Sequence, residues 1–203
     1  MTHYNSQLYN NREKKMGFIN SVQNKILLGF VAAIAAMFAL DITNAFTITV
    51  WLHVLAGIVW IGLLYYFNFV QVPGMGQALA DTDGPGPAAI GKYIAPRALL
   101  WFRMAAATTW LIGMSLLEQN GIGIVNAFMF AEGAQVIGLG AWMGTIMAFN
   151  VWFIIWPNQQ KILGMKEATA EEIAKAKANA ALASSINVIL SIPMLLTMLA
   201  HRF

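Results

Sequence analysis

The sequence places a histidine inside an apolar segment, and this is its clearest candidate for chemistry. The stretch WLHVLAGIVWIGLLYYFNFVQVP, residues 51–73, puts His53 about seven residues inside a predicted membrane span, roughly 10 Å along the helix from its end. A titratable side chain at that depth is costly without a partner. Ligand binding is therefore one interpretation of His53, and a structural hydrogen bond to a carbonyl of a neighbouring helix is the other.

The residues that follow His53 on the same helical face favour a flat ligand. Gly57 lies one turn further along and Trp60 two turns, so the face presents a histidine, a small residue and an aromatic ring. The glycine predicts room beneath the imidazole for a porphyrin. Our prediction for this face is a haem b whose iron His53 ligates.

Two further residues are candidates for holding such a cofactor. His201 ends the last apolar segment on the side predicted for His53 and is a candidate second axial ligand, although an interfacial histidine explains it equally well. Arg103 lies about a turn and a half inside the third span. It is a candidate for binding a haem propionate or an anionic substrate, and snorkelling to the headgroups is the alternative. His53 and Arg103 are predicted near opposite leaflets, so only a cofactor with the reach of a haem would contact both.

Other chemistries have little support in the sequence. The chain has no cysteine, which excludes disulfides, thiolate metal sites and covalently attached haem c. It shows no glycine-rich phosphate loop and no Ser-His-Asp set. The net charge of +3 is explained by the loops between spans, so no nucleic-acid partner is expected.

Membrane helices must position these residues. Apolar residues make up 59% of the chain and charged residues only 10%, and the mean hydropathy is +0.62. A soluble domain carries roughly a quarter charged residues. Because so few charges cannot cover a water-facing surface, we predict an integral membrane protein surrounded by a lipid bilayer.

Five apolar segments predict an all-α integral membrane bundle of about five transmembrane helices. We predict spans at about 18–40, 46–71, 98–117, 133–156 and 181–201, within a single transmembrane helical domain over 18–203 that follows a polar arm over 1–17. The first segment reaches spanning length if Lys25 snorkels to the headgroups. A signal peptide is its alternative, although the residues before Asp41 match a cleavage site poorly.

The Lys and Arg residues predict the orientation. With a cytoplasmic N-terminus, eleven of the twelve fall on the cytoplasmic side, and only Arg202 falls on the other. We therefore predict an N-in, C-out, multi-pass protein of a bacterial inner membrane.

Several local patterns predict structure around the spans. The segment 72–97 is rich in Gly and Pro and should be irregular, whereas Thr169 and Glu172 have the spacing of a capping box. The intramembrane amides should bond across helices, and the small residues of the fourth span should allow close packing. These residues are Asn68, Asn150 and Asn187, and Gly138, Gly140 and Gly144.

Four blocks of the sequence resemble one family. WLHVLAGIVWIGLLYYFNFVQVP, APRALLWFRMAAATTWLIG, FNVWFIIWPNQQKILG and INVILSIPMLLTMLAH run from about residue 51 to 201. In this order they resemble the membrane domain of PuuD-type urate hydroxylases, also described as the urate oxidase N-terminal domain. The resemblance implies oxidation of urate, a purine, to 5-hydroxyisourate. It also implies a cytochrome c domain after the membrane part.

This sequence departs from the family pattern because it ends at Phe203 without a cysteine for haem c. We expect either that electrons pass to a separate cytochrome or that this homologue has lost the enzymatic role. The pattern of Leu52, His53, Trp60 and Gly62 also resembles CopD-like and HemJ-like membrane proteins. In the HemJ-like group such a histidine is implied to ligate haem b.

The leading hypothesis is a membrane redox protein of the urate hydroxylase type, a candidate oxidoreductase that binds haem b and passes electrons to a separate cytochrome. The alternative is a non-catalytic accessory subunit of a larger membrane complex, in which His53 makes a structural hydrogen bond. A third interpretation is a proton or small-solute pathway in which His53 and Glu132 act as relay groups.

Overall fold

The computed structural model describes residues 21–200, and all regular structure in that range is helical. The helices are α1 (Val22–Ala39), α2 (Ala45–Ala80), α3 (Ile90–Gln119), α4 (Ile124–Phe128), α5 (Gln135–Ile162) and α6 (Ala170–Ala200). Five of them, all except α4, are long and apolar enough to cross a membrane. The predicted all-α fold with five membrane helices is confirmed, and the orientation stays a prediction.

The chain divides into two compact units, Met1–Ile48 and Thr49–Phe203. The first contains α1, which buries none of its residues. The second contains nearly all of α2 and the whole of α3 to α6. Within it α5 is the most enclosed helix. In the most apolar stretch of each helix, 56% of the residues of α5 are buried, compared with 28% for α3 and 22% for α6. The helix α5 therefore forms the centre of the second unit.

Three prolines lie just beyond wide helical turns. The helices α2, α3 and α5 continue through these prolines and are therefore longer than predicted. Pro73, Pro96 and Pro157 follow π-helical turns over Phe67–Gln71, Ile90–Ile94 and Asn150–Ile155. A proline has no N–H to donate and its ring crowds the carbonyl four residues earlier. A π turn widens the backbone at this point, so the helix continues through the proline.

The prediction that 72–97 is irregular is therefore wrong at both ends of that segment. Helix α2 runs on to Ala80 and α3 already begins at Ile90, so only the residues between them are irregular. The capping box at the start of α6 is confirmed. Thr169 N–H donates to Glu172 Oε2 at 2.9 Å, and Glu172 N–H donates to Thr169 Oγ1 at 3.2 Å.

The predicted cross-helix amide bonds are confirmed. Asn150 of α5 donates to Asn187 Oδ1 at 2.9 Å, and Asn187 donates to the Met147 carbonyl at 3.0 Å. Asn68 of α2 donates to Ser184 Oγ at 2.8 Å. Because these bonds connect α2 and α5 to one face of α6, they fix its position against both helices.

Two of the three glycines on α5 mark close contacts. A Cβ on Gly138 would overlap the Ala127 carbonyl oxygen of α4, and a Cβ on Gly140 would lie 2.8 Å from Thr197 Oγ1 of α6. Gly144 is also buried, although no such neighbour lies within 4 Å of the position that its Cβ would occupy.

Candidate functional site

His53 contacts α3 through both its ring and its hydrogen bond. Its Nδ1 lies 3.0 Å from the carbonyl oxygen of Thr109. Its Cε1 lies 3.1 Å from the position that a Cβ on Gly113 would occupy. Thr109 and Gly113 are one helical turn apart, so the imidazole packs against a single face of α3. The absence of a side chain at Gly113 gives the ring its place.

The hydrogen bond determines which nitrogen of His53 carries the lone pair. Since a carbonyl oxygen only accepts, Nδ1 carries the hydrogen and donates it, and Nε2 holds the lone pair. This is the tautomer that metal-ligating histidines commonly use, with the second nitrogen donating to a backbone carbonyl. The donor chemistry of His53 therefore fits an axial ligand to haem iron.

Gly57 has a different surrounding from the one that a porphyrin slot requires. A Cβ at Gly57 would lie 3.8 Å from Cγ2 of Thr109, which is ordinary van der Waals contact. The space beside this glycine is thus filled by a methyl group of α3. In the structure Gly57 allows α2 and α3 to pack closely. This packing does not support the predicted slot for a porphyrin beneath His53.

Trp60 belongs to the core of the second unit. It is 2% exposed and packs in one apolar cluster with Leu64 and Phe102. Its indole N–H is buried and has no hydrogen-bond partner in the part of the chain that the structure describes. Such an unpaired donor costs about 1–3 kcal/mol, so a buried acceptor of a ligand would find a donor here.

Polar side chains connect α2 and α3 between His53 and the exposed end of these two helices. Thr49 Oγ1 lies 3.2 Å from Nε2 of Gln119, and the same nitrogen donates to Ser115 Oγ at 2.9 Å. Thr49 precedes His53 by one helical turn, so polar residues follow α2 from its first turns to the imidazole. Beyond His53 this face is apolar. Polar access to His53 is therefore expected from the end of the bundle at which α3 finishes.

Arg103 lies in the other half of α3. Its guanidinium carbon is 3.7 Å from the ring centroid of Trp156 on α5. Its carbonyl oxygen accepts a hydrogen bond from Trp152 Nε1 at 3.1 Å. Six residues separate Arg103 from Thr109, about 9 Å along the helix. The structure thus assigns Arg103 and His53 different neighbours, and the prediction that one haem contacts both remains untested.

Two further residues were predicted as a ligand and as a relay group, His201 and Glu132. His201 lies outside the described residues. Glu132 is exposed in the loop that precedes α5. Within residues 21–200, no three His, Cys, Asp or Glu side chains come together in a group that could hold a metal ion.

The sequence analysis missed Thr109 and Gly113, the two residues that position His53. Their spacing of four residues on an apolar helix was visible in advance. However, α3 also carries Ala105, Ala106 and Ser115, and any of these small residues could have faced a neighbouring helix. The helix-to-helix register selects the pair, and the sequence alone does not reveal that register.

Comparison with known proteins supports the predicted family over part of the chain. The family described as urate oxidase N-terminal matches residues 120–203, which contain α4, α5 and α6. The predicted recognition is thereby confirmed for that part. The matched range does not include His53 or Arg103. Searches of curated proteins and of solved structures found no match.

Proposed function

From the match of residues 120–203 to the urate oxidase N-terminal family, we propose that this chain is the membrane-embedded part of a urate hydroxylase-like oxidoreductase. The family match is the observation that carries this proposal. Five helices long enough to cross a bilayer agree with it. The proposed location is a bacterial inner membrane, with the His53 end of the bundle facing outward, as the distribution of Lys and Arg predicts.

The proposed reaction is a two-electron oxidation of a purine. Urate and water give 5-hydroxyisourate, two protons and two electrons, and the new carbon–oxygen bond takes its oxygen from water. The electrons require an acceptor. The proposed acceptor is a cytochrome.

Haem b is the cofactor that we propose, and His53 would hold it through Nε2. The hydrogen bond from Nδ1 to Thr109 supports this assignment because it sets the required tautomer and ring orientation. When bound, a haem would supply one-electron steps between urate and the acceptor. Thr109 and Gly113 would orient the ligand, and His201 remains the predicted second ligand.

The competing function is that of a non-catalytic accessory subunit, and the same hydrogen bond favours it too. The Thr109 carbonyl satisfies the His53 N–H without a ligand, as a purely structural histidine requires. The two functions differ in what a histidine substitute with an N–H donor would do. Such a substitute would preserve a structural role and abolish a ligand role.

Urate consumption by cells tests the proposed function. We expect that deleting the gene abolishes consumption and that the wild-type chain restores it. His53→Gln keeps an N–H for Thr109 but removes the iron ligand, so consumption should fall at least about tenfold. Gly76→Ala is the control, because Gly76 is exposed on the same helix and no neighbour lies within 4 Å of the position that its Cβ would occupy. Unchanged urate consumption in the deletion strain would contradict the proposal.

A further inference from the structure

Two tryptophans of α5 contact Arg103, one at its guanidinium and the other at its backbone carbonyl. The indole ring of Trp156 stacks on the guanidinium at 3.7 Å, and the indole N–H of Trp152 donates to the Arg103 backbone carbonyl at 3.1 Å. Trp152 lies in the π turn Asn150–Ile155, and Trp156 follows that turn directly. Trp156 thus positions the guanidinium, and Trp152 positions the backbone of α3 at Arg103.

The positive charge of Arg103 has no acidic partner within the described range. The ion pair found among residues 21–200 joins Lys161 to Glu172 at 3.6 Å. The two tryptophan contacts use an aromatic face and a backbone carbonyl. Neither contact engages the five N–H donors at the edge of the guanidinium. The side chain is partly buried, yet its donors bond to no described residue.

The tryptophan ring leaves the hydrogen-bonding capacity of this charge unused. A charged side chain inside a membrane span is costly unless it is paired. A cation–π contact attracts the charge but does not bond to the N–H donors. An acceptor for those donors would have to come from outside residues 21–200. A planar guanidinium is best matched by an oxyanion that offers two oxygens.

We propose that Arg103, held by Trp152 and Trp156, binds an oxyanion, namely a phosphate group. Exposed apolar side chains flank Arg103 along α3: Leu100 is 45%, Trp101 54% and Met104 48% exposed. The guanidinium therefore lies beside the lipid-facing surface. The headgroup phosphate of a lipid and a soluble phosphate share the required chemistry, and experiment separates them. This site is independent of the urate reaction and of any cofactor at His53.

Thermal unfolding of the purified protein in neutral detergent tests the site. The probes are a short-chain phosphatidylglycerol, the diacylglycerol with the same chains but no phosphate, and inorganic phosphate. Phosphatidylglycerol should raise the unfolding midpoint of the wild type. In Arg103→Gln, the phosphatidylglycerol concentration that gives half of this rise should be about tenfold higher or more, because a charge-assisted pair is lost. Diacylglycerol should not distinguish the two proteins.

Arg97→Gln is the matched control, because Arg97 lies on the same helix and is exposed. It should respond to phosphatidylglycerol as the wild type does. If Arg103→Gln does not fold, Arg103→Lys replaces it, and a lysine without the planar fork should bind more weakly than wild type. An Arg103-dependent response to inorganic phosphate as well would assign the site to a soluble oxyanion. Equal responses of the wild type and both Arg103 variants to every probe would overturn the proposal.

Discussion

His53 contacts α3 and Arg103 belongs to it, yet the two side chains differ in how their N–H donors are satisfied. The imidazole is accommodated by α3 itself, because the Thr109 carbonyl accepts its N–H and Gly113 makes room for its ring. The guanidinium contacts an aromatic face and no acceptor in the described part of the chain. About 9 Å of α3 separates the two arrangements.

The difference shows that depth in a membrane span does not by itself identify a ligand site. His53 lies deep, but its hydrogen bond would exist in a purely structural protein as well. The N–H donors of Arg103 have no acceptor in the described part of the chain. A buried polar side chain needs hydrogen-bond partners, and whether the protein supplies them decides whether an external ligand is needed.

Closing the space at Gly113 should produce the largest effect. In Gly113→Val, the new Cβ would lie 3.1 Å from His53 Cε1, and two further methyl groups would crowd the ring. We expect a loss of about 1–3 kcal/mol in the free energy of unfolding, as for overpacked cores. Denaturation in mixed detergent micelles measures this loss.

Gly62→Val is the matched control for that substitution. The same residue is introduced on a membrane helix, but no atom lies within 4 Å of the new Cβ. The control should change stability by less than about 0.5 kcal/mol, as is usual for surface sites. Equal losses in both variants would show that His53 is not packed against Gly113.

Removing each polar side chain in turn should give smaller and unequal effects. His53→Ala should cost about 1 kcal/mol, the net contribution of one hydrogen bond, and His53→Gln should recover part of it. Arg103→Gln loses only the contact with Trp156, and without added phosphate it should cost about 0.5–1 kcal/mol or less. A larger loss for Arg103→Gln than for His53→Ala would reverse the comparison.

The sequence predicted the features that depend on local pattern. Five apolar segments gave five membrane helices, and the spacing of Thr169 and Glu172 gave the capping box. Helix ends were predicted poorly, because the segment 72–97, rich in Gly and Pro, was expected to be irregular. The π turn before Pro73 lets α2 continue to Ala80, and no simple residue pattern announces such a turn.

The environment of His53 could be predicted only in part. Its depth and its need for a partner follow from its place in an apolar segment. Gly57 looked like space for a ligand, whereas the packing of α2 against α3 fills that space with Thr109. A glycine in a membrane helix permits either a ligand or a neighbouring helix, and only the helix arrangement distinguishes the two.

The visible absorption spectrum of the purified protein, oxidised and then reduced, tests whether His53 ligates a haem. We expect a Soret band in the wild type and its loss in His53→Gln, although the glutamine variant keeps part of the stability contributed by the bond to Thr109. A fully folded, colourless wild-type protein would contradict haem ligation by His53. A Soret band of unchanged height in His53→Gln would contradict it as well.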